Sequence, residues 1–374
     1  MRLEIEPRSG TGGLNQLLAP VAAVVLTLAI GAAMFMALGQ PPLDALYVFF
    51  IEPLLDPWAL HELAIKAAPL ILIAAGLTVC FRSGNWNIGA EGQFIAGAIA
   101  ASAVPIFANE ASGPLVLPAM VVLGIAGGTA WAAIPAVLKN RFGANEILVS
   151  LMLVYIAEYL LDYLVRGPWR NPNGFNFPES APFQPSAVVP EIVSMGAFGG
   201  RAHWGVVAAI ACAVLVWVLV ARTIRGYGFT ISGASPRAAR FAGFDPHKTT
   251  LIAFGISGAL AGLAGMLEVS GSIGQLRPSI SPGYGFTAII VAFLARLNPL
   301  GTILAGFVVA LSFIGGEAAQ VELGVSERIA RVFQGVLLFS VLFADTLVRY
   351  RVRLVSGAAQ ARPDTVGGSV RTPA

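Results

Sequence analysis

The chain has 374 residues, 56% of them apolar and only 11% charged, with mean hydropathy +0.77. A soluble domain carries about 25% charged residues, so a fold with water on every side is excluded. The net charge of +3 sits on basic residues at the ends of apolar runs rather than in a patch, which argues against a nucleic-acid partner.

Apolar runs follow one another along the chain: Leu17–Leu38, Leu63–Phe81, Ile88–Phe107, Leu115–Leu138, Ile147–Val165, Trp204–Ala221, Thr250–Val269, Tyr284–Leu294, Leu300–Ala318 and Ile329–Leu347. Leu17–Leu38 and Trp204–Ala221 hold no ionisable side chain, and roughly 18 such residues suffice to cross the hydrocarbon core as a helix. The first run is too long for the core of a secretory leader and reads as a retained span. Together the runs predict an all-α integral membrane protein of about ten transmembrane helices, some of them interrupted or half-length. An even number puts both termini on one side. If that side is the cytoplasm, 16 of the 23 Lys and Arg residues fall in inner segments and 6 in outer ones, with Lys66 inside a span. Inward-facing loops carry that bias. The expected organisation is a cytoplasmic segment at 1–16, a transmembrane domain at 17–348, and a cytoplasmic tail at 349–374 whose small polar residues predict disorder.

Between the first two runs, Leu43–Trp58 mixes Tyr47, Phe49, Phe50 and Trp58 with Asp44, Glu52 and Asp56, which suits a helix lying in the outer interface. The next connection, Arg82–Phe94, places Asn85, Trp86, Asn87, Glu91, Gln93 and three glycines directly between two apolar runs. Polar groups at that depth are costly in hydrocarbon. Two explanations fit. Either an interrupted helix presents them to a solute, or Asn85, Asn87 and Glu91 cap neighbouring helix ends.

Further on, Glu158 and Asp162 share a helix face at i,i+4, where like charges repel unless one is protonated or a base such as Arg166 is near. The favoured reading is a salt-bridged structural pair. The outer loop at 166–203 is rich in Pro, Asn and Gly and should be irregular, either as a plain connector or as a docking or gating element. In the inner loop at 222–248, Ser235 caps a short helix with Pro236 at its first position, and Gly243 closes it. Arg237 and Arg240 would face outward there, either to enter a groove on a soluble partner or simply as part of a solvated, positively charged inner loop. The bend Ser279–Gly283 precedes an apolar run too short for a full crossing, which predicts a half-helix starting at Tyr284.

Enzyme chemistry finds no support. His247-Lys248-Thr249 lacks the glycine that a phosphate-binding loop needs before its lysine. His61, His203 and His247 are too scattered for a metal site, and Cys80 and Cys212 lie in apolar runs without disulfide or metal spacing. A self-sufficient secondary transporter using Glu91 and Glu268 as ion sites is the rival reading.

The run NIGAEGQF at Asn87–Phe94, preceded by Phe81-Arg82, resembles the signature of permease subunits of bacterial nucleoside-type ABC importers. These belong to the branched-chain amino acid and simple-sugar permease superfamily. GASPRAARFAG at Gly233–Gly243, Phe254–Gly265 and Phe293–Gly301 are similar to further blocks of that superfamily. The resemblance implies a bacterial inner-membrane, multi-pass subunit that binds no cofactor itself and imports a small polar solute, a nucleoside or alternatively a simple sugar. It implies three partners: a separate ATPase that uses ATP, a second homologous permease or a copy of this chain, and an extracytoplasmic substrate-binding lipoprotein. The solute pathway is expected at Asn85, Trp86, Asn87, Glu91, Gln93, Tyr284 and Phe286. ATPase coupling is expected at Ser235, Arg237, Ala238, Arg240 and Gly243. Asn85-Trp86 departs from the small or aromatic pair common in relatives.

Overall fold

The computed structural model describes residues 2–7, 13–107, 110–192, 202–326 and 328–355. Its elements are β1 (Arg2–Pro7), α1 (Gly13–Ala37), α2 (Pro42–Phe50), α3 (Glu52–Leu55), α4 (Pro57–Arg82), α5 (Ala90–Phe107), α6 (Val116–Phe142), α7 (Glu146–Arg166), α8 (Gly205–Arg222), α9 (Ile224–Ala234), α10 (Pro236–Phe241), α11 (Pro246–Leu267), α12 (Tyr284–Leu294), α13 (Gly301–Leu323), α14 (Arg328–Arg349) and β2 (Tyr350–Val355).

A helix that is apolar all round must be enclosed by other helices or by lipid. Within α4 the run from Ala67 to Phe81 is buried residue after residue, with α8, α11, α12 and α13 packed around it. The second packing centre is α5, α6 and α11. Gly97 of α5, Gly124 and Gly128 of α6, and Gly258 and Gly262 of α11 meet backbone to backbone there. In lipid no hydrophobic effect drives helices together, so small residues that allow close approach carry the association.

Seven helices, α4–α8, α11 and α13, are long and apolar enough to cross a membrane. The other three expected spans hold only shorter apolar stretches among the described residues: Val24–Ala37, Tyr284–Leu294 and Arg331–Ser340. The fold also adds what periodicity did not predict, an antiparallel ribbon of β1 and β2 that pairs Arg2 with Val355 and Pro7 with Tyr350. The tail expected to be disordered from 349 therefore begins as a strand, and its remainder after Val355 lies outside the described residues.

The ends of the bundle follow from contacts. At one end Arg82 Nε donates to the Leu297 carbonyl at 2.7 Å, Lys139 Nζ to Asn85 Oδ1 at 2.9 Å, and Asn140 Nδ2 to the His247 carbonyl at 2.9 Å. The loops at 82–89, 139–146, 222–248 and 295–300 thus share a face. From that face α13 runs away to Leu323, whose carbonyl accepts from Gln40 Nε2 just past α1. Both α14 and α1 therefore return toward the first face, and the ribbon joins them there. The ribbon's residues Arg2–Pro7 and Tyr350–Val355 are thus on the side of the basic loops.

At the opposite end the stretch expected to form one interfacial helix is split into α2 and α3. Tyr47 and Trp58 are exposed, but Phe49 is buried and stacks on Phe333 of α14 with centroids 4.6 Å apart. The outer loop is pinned onto a π-helical turn at Glu268–Ile273: the Val189 N–H donates to the Ser270 carbonyl at 3.2 Å and the Phe183 N–H to the Gly274 carbonyl at 2.8 Å. His203 is buried beneath the loop, with Nδ1 accepting from the Gly205 N–H at 3.1 Å. Burial lowers its pKa from 6.5, with Glu191 opposing the shift. The unfolded chain therefore binds this proton first, and the fold loses stability as pH falls below about 6.5. Thermal unfolding in detergent should show a lower midpoint at pH 5.5 than at 7.5, with a smaller drop in His203→Asn, whose amide oxygen replaces the Nδ1 acceptor.

Candidate functional site

The break between α4 and α5 is built from the amides singled out in the sequence. Gly84, at φ +72°, turns the chain out of α4, and residues 85–89 are non-helical before α5 begins. Asn87 and Gln93 exchange side-chain hydrogen bonds in both directions at 3.0 Å, and Asn87 Nδ2 also donates to Ser257 Oγ of α11 at 2.9 Å. Asn85 Oδ1 accepts from Lys139 Nζ and from Thr250 Oγ1 at 3.0 Å, while its Nδ2 donates to Ser83 Oγ at 2.8 Å. All three amides are buried. A buried polar network satisfied in this way fixes one geometry. It locks the broken segment to α6 and α11.

Glu91 is buried one turn into the region where α12 begins, and its carboxylate accepts from the backbone N–H groups of Gly285 and Phe286. The first amides of a helix have no partner within it, so Glu91 caps α12 from a neighbouring helix. Ser281 completes the cap by accepting from the Gly283 and Tyr284 N–H groups at 3.0 and 2.9 Å. The half-helix expected from Tyr284 is therefore present, eleven residues long, starting deep in the bundle and ending at the basic face.

Of the seven residues expected on a solute pathway, Trp86 (45% exposed) and Phe286 (38%) open outward. Asn85, Asn87, Glu91 and Gln93 form the scaffold just described. Tyr284 is turned into the bundle, edge-on to Phe94 and Phe313. Trp86 stacks on Phe293 at 6.3 Å, and Phe293 on Phe81 at 5.3 Å. One long-range pair had no signal in the sequence. Lys66 pairs with Glu317 at 2.6 Å across 251 residues. Asp162 pairs with Arg166 at 2.7 Å, as the salt-bridge reading expected, but Glu158 takes no part in it.

The segment expected to couple lies on the same face as the break. Ser235 Oγ accepts from the Ala238 N–H at 3.3 Å, Pro236 opens α10, and Gly243 follows it at φ +85°. Ala239 anchors the helix inward, while Arg237, Ala238, Arg240 and Gly243 are exposed and Phe241 is 94% exposed. The last turn of α9, just before this helix, touches the break: a Cβ on Gly233 would collide with the Arg82 carbonyl oxygen and come within 3.1 Å of the Gly84 nitrogen.

Residues 59–342 match the family described as branched-chain amino acid transport system / permease component. The chain belongs to this family of permeases. Among named relatives, the permease is 34% identical to the glucose ABC transporter permease protein TsgB13 of Haloferax volcanii, over 99% of both chains. It is 28% identical to the guanosine ABC transporter permease protein NupP of Bacillus subtilis, covering 92% of this chain and 97% of the relative. It is 24% identical to the nucleoside ABC transporter permease protein NupB of Lactococcus lactis, covering 87% and 90%. Family membership and the seven apolar helices make the permease a multi-pass protein of the plasma membrane. At the family level they imply an ATPase partner and a substrate-binding protein.

Proposed function

We propose that the permease is the membrane-crossing subunit of an importer that brings a nucleoside into the cytoplasm, driven by a separate ATPase docked on α10. The observation that carries this reading is the line of contact from exposed α10 through Gly233 of α9 to the break at Arg82–Gly89. Docking at one end of that line bears mechanically on the polar segment at the other. Trp86 and Phe286 offer aromatic faces for a base, and the scaffold of Asn85, Asn87, Glu91 and Gln93, with Tyr284 behind it, holds those faces in place. The face carrying the basic loops is cytoplasmic on this reading, and both termini with it. A substrate-binding lipoprotein delivers solute at the opposite end. A second permease, homologous or identical, completes the pathway within the lipid. ATP is consumed on the partner ATPase. A simple sugar is the second reading, favoured by the glucose relative that aligns end to end with this chain.

Uptake of labelled guanosine and labelled glucose by cells expressing the whole system tests the proposal. Guanosine is expected to accumulate, and accumulation of glucose alone would replace the first reading by the second. The double variant Arg237→Glu/Arg240→Glu should insert normally, fail to co-purify with the ATPase and show no uptake. Normal transport by this variant would remove α10 from the coupling interface.

A further inference from the structure

Glu158 sits where hydrocarbon cannot solvate it. It lies twelve residues into α7, about 18 Å along a helix that covers roughly 30 Å of hydrocarbon. Its side chain is exposed and makes no hydrogen bond or ion pair among the described residues, whereas Asp162, one turn on, is held by Arg166. A lone carboxylate at that depth faces a bundle interior or a water-filled cavity rather than lipid.

Its neighbours on the helix are equally unsuited to lipid. At 3.6 residues per turn, Tyr155, Glu158, Tyr159 and Asp162 fall on one flank spanning about 100°, and Ile156 and Leu160 fall on the next. Tyr155 and Tyr159 are 48% and 75% exposed. The helix thus carries a hydroxyl- and carboxylate-bearing flank beside an apolar one. Helices that touch lipid on one side and a watery passage on the other are divided in this way.

A second, independent observation places that flank. α7 packs on α5 beside Glu91: a Cβ on Gly92 would lie 3.0 Å from the Val154 Cα, one turn before Glu158 on α7, and Glu91 caps the first turn of α12. Phe286, in that turn, is exposed, and Phe293 lies seven residues on along the same face, stacked on exposed Trp86. The acidic flank of α7 and the aromatic front of α12 therefore meet at Glu91, near the middle of the membrane.

We infer that this flank of α7 and the front of α12 are two walls of one water-filled passage, in which Glu158 accepts hydrogen bonds from the hydroxyls of a neutral solute and disfavours anions. The inference rests on the proposed importer reading and names the selecting group within it. Aromatic rings cover the apolar face of a sugar or base, and an ionised carboxylate can only accept hydrogen bonds, so it suits a solute rich in hydroxyl donors. A phosphorylated sugar or nucleotide would instead meet the repulsion of Glu158, since Asp162 is paired with Arg166 and Glu91 with the first amides of α12.

The test is solvent access in the assembled transporter, in membranes, with Cys80→Ser and Cys212→Ser as background. Glu158→Cys and Phe286→Cys should react with membrane-impermeant methanethiosulfonates, and Ile156→Cys should not. Relative to a free thiol, Phe286→Cys should react about tenfold or more faster with a cationic reagent than with an anionic one, and adding Glu158→Gln should largely erase the difference. An unreactive Glu158→Cys, or a charge preference that survives Glu158→Gln, would overturn the inference whatever the uptake assays give. Labelling as expected without uptake of guanosine or glucose would instead overturn the solute assignment and leave the passage standing.

Discussion

Replacing Gly262 by valine is expected to leave no folded permease in the membrane. A Cβ at this position would overlap the Gly124 carbonyl oxygen of α6 and lie 2.9 Å from the Gly128 Cα. On the other side, a Cβ on Gly97 of α5 would itself strike Gly262. Ordinary overpacking costs about 1–3 kcal/mol because side chains can change rotamer. Here backbone meets backbone on three helices, and none can withdraw without separating the bundle. The measurement is size-exclusion profile and thermal midpoint in detergent. Gly255→Ala serves as control, since nothing lies within 4 Å of its Cβ position. A monodisperse Gly262→Val protein of ordinary midpoint would mean that α5, α6 and α11 do not approach as described.

Gly233→Val should abolish transport by a different route. The added side chain would press on the Arg82 carbonyl and on Gly84, where the chain leaves α4 at positive φ and a shift has no slack to absorb it. Because α10 and its Ser235 cap lie beyond the clash, the ATPase should still co-purify while uptake falls to that of cells without the permease. Loss of the ATPase together with uptake would mean that α9 positions α10 and transmits nothing to the break. Retained uptake would separate α9 from the break altogether.

Much of this site was legible because local chemistry wrote it. Three glycines and four polar side chains between apolar runs allowed an interrupted helix, and the chain breaks at Gly84, with α5 resuming at Ala90. An apolar run of eleven residues after Ser-Pro-Gly could not span the membrane, and α12 does start deep. Ser235, Pro236 and Gly243 bound α10 as their backbone preferences require. What could not be read depends on partners far along the chain. The partners that hold the amides, Ser257, Lys139 and Thr250, come from α6 and α11 and could not be named from the segment itself. Phe49 looks interfacial beside Tyr47 and Trp58, and only the arrival of Phe333 buries it. Spacing paired Glu158 with Asp162, although Arg166 reaches only one of them. Seven of the ten expected runs are long apolar helices among the described residues, and Tyr284–Leu294 is the half-helix that its length implied.

The partnership of α1 with α14 bears on the order in which the protein is made. Phe35 and Phe49 close around Phe333, and a Cβ at Gly31 would collide with that same ring. α1 must therefore wait for its Phe333 partner until α14 has been made. A chain cut short before α14 would leave Phe35, Phe49 and the small notch at Gly31 without the ring that fills the space between them.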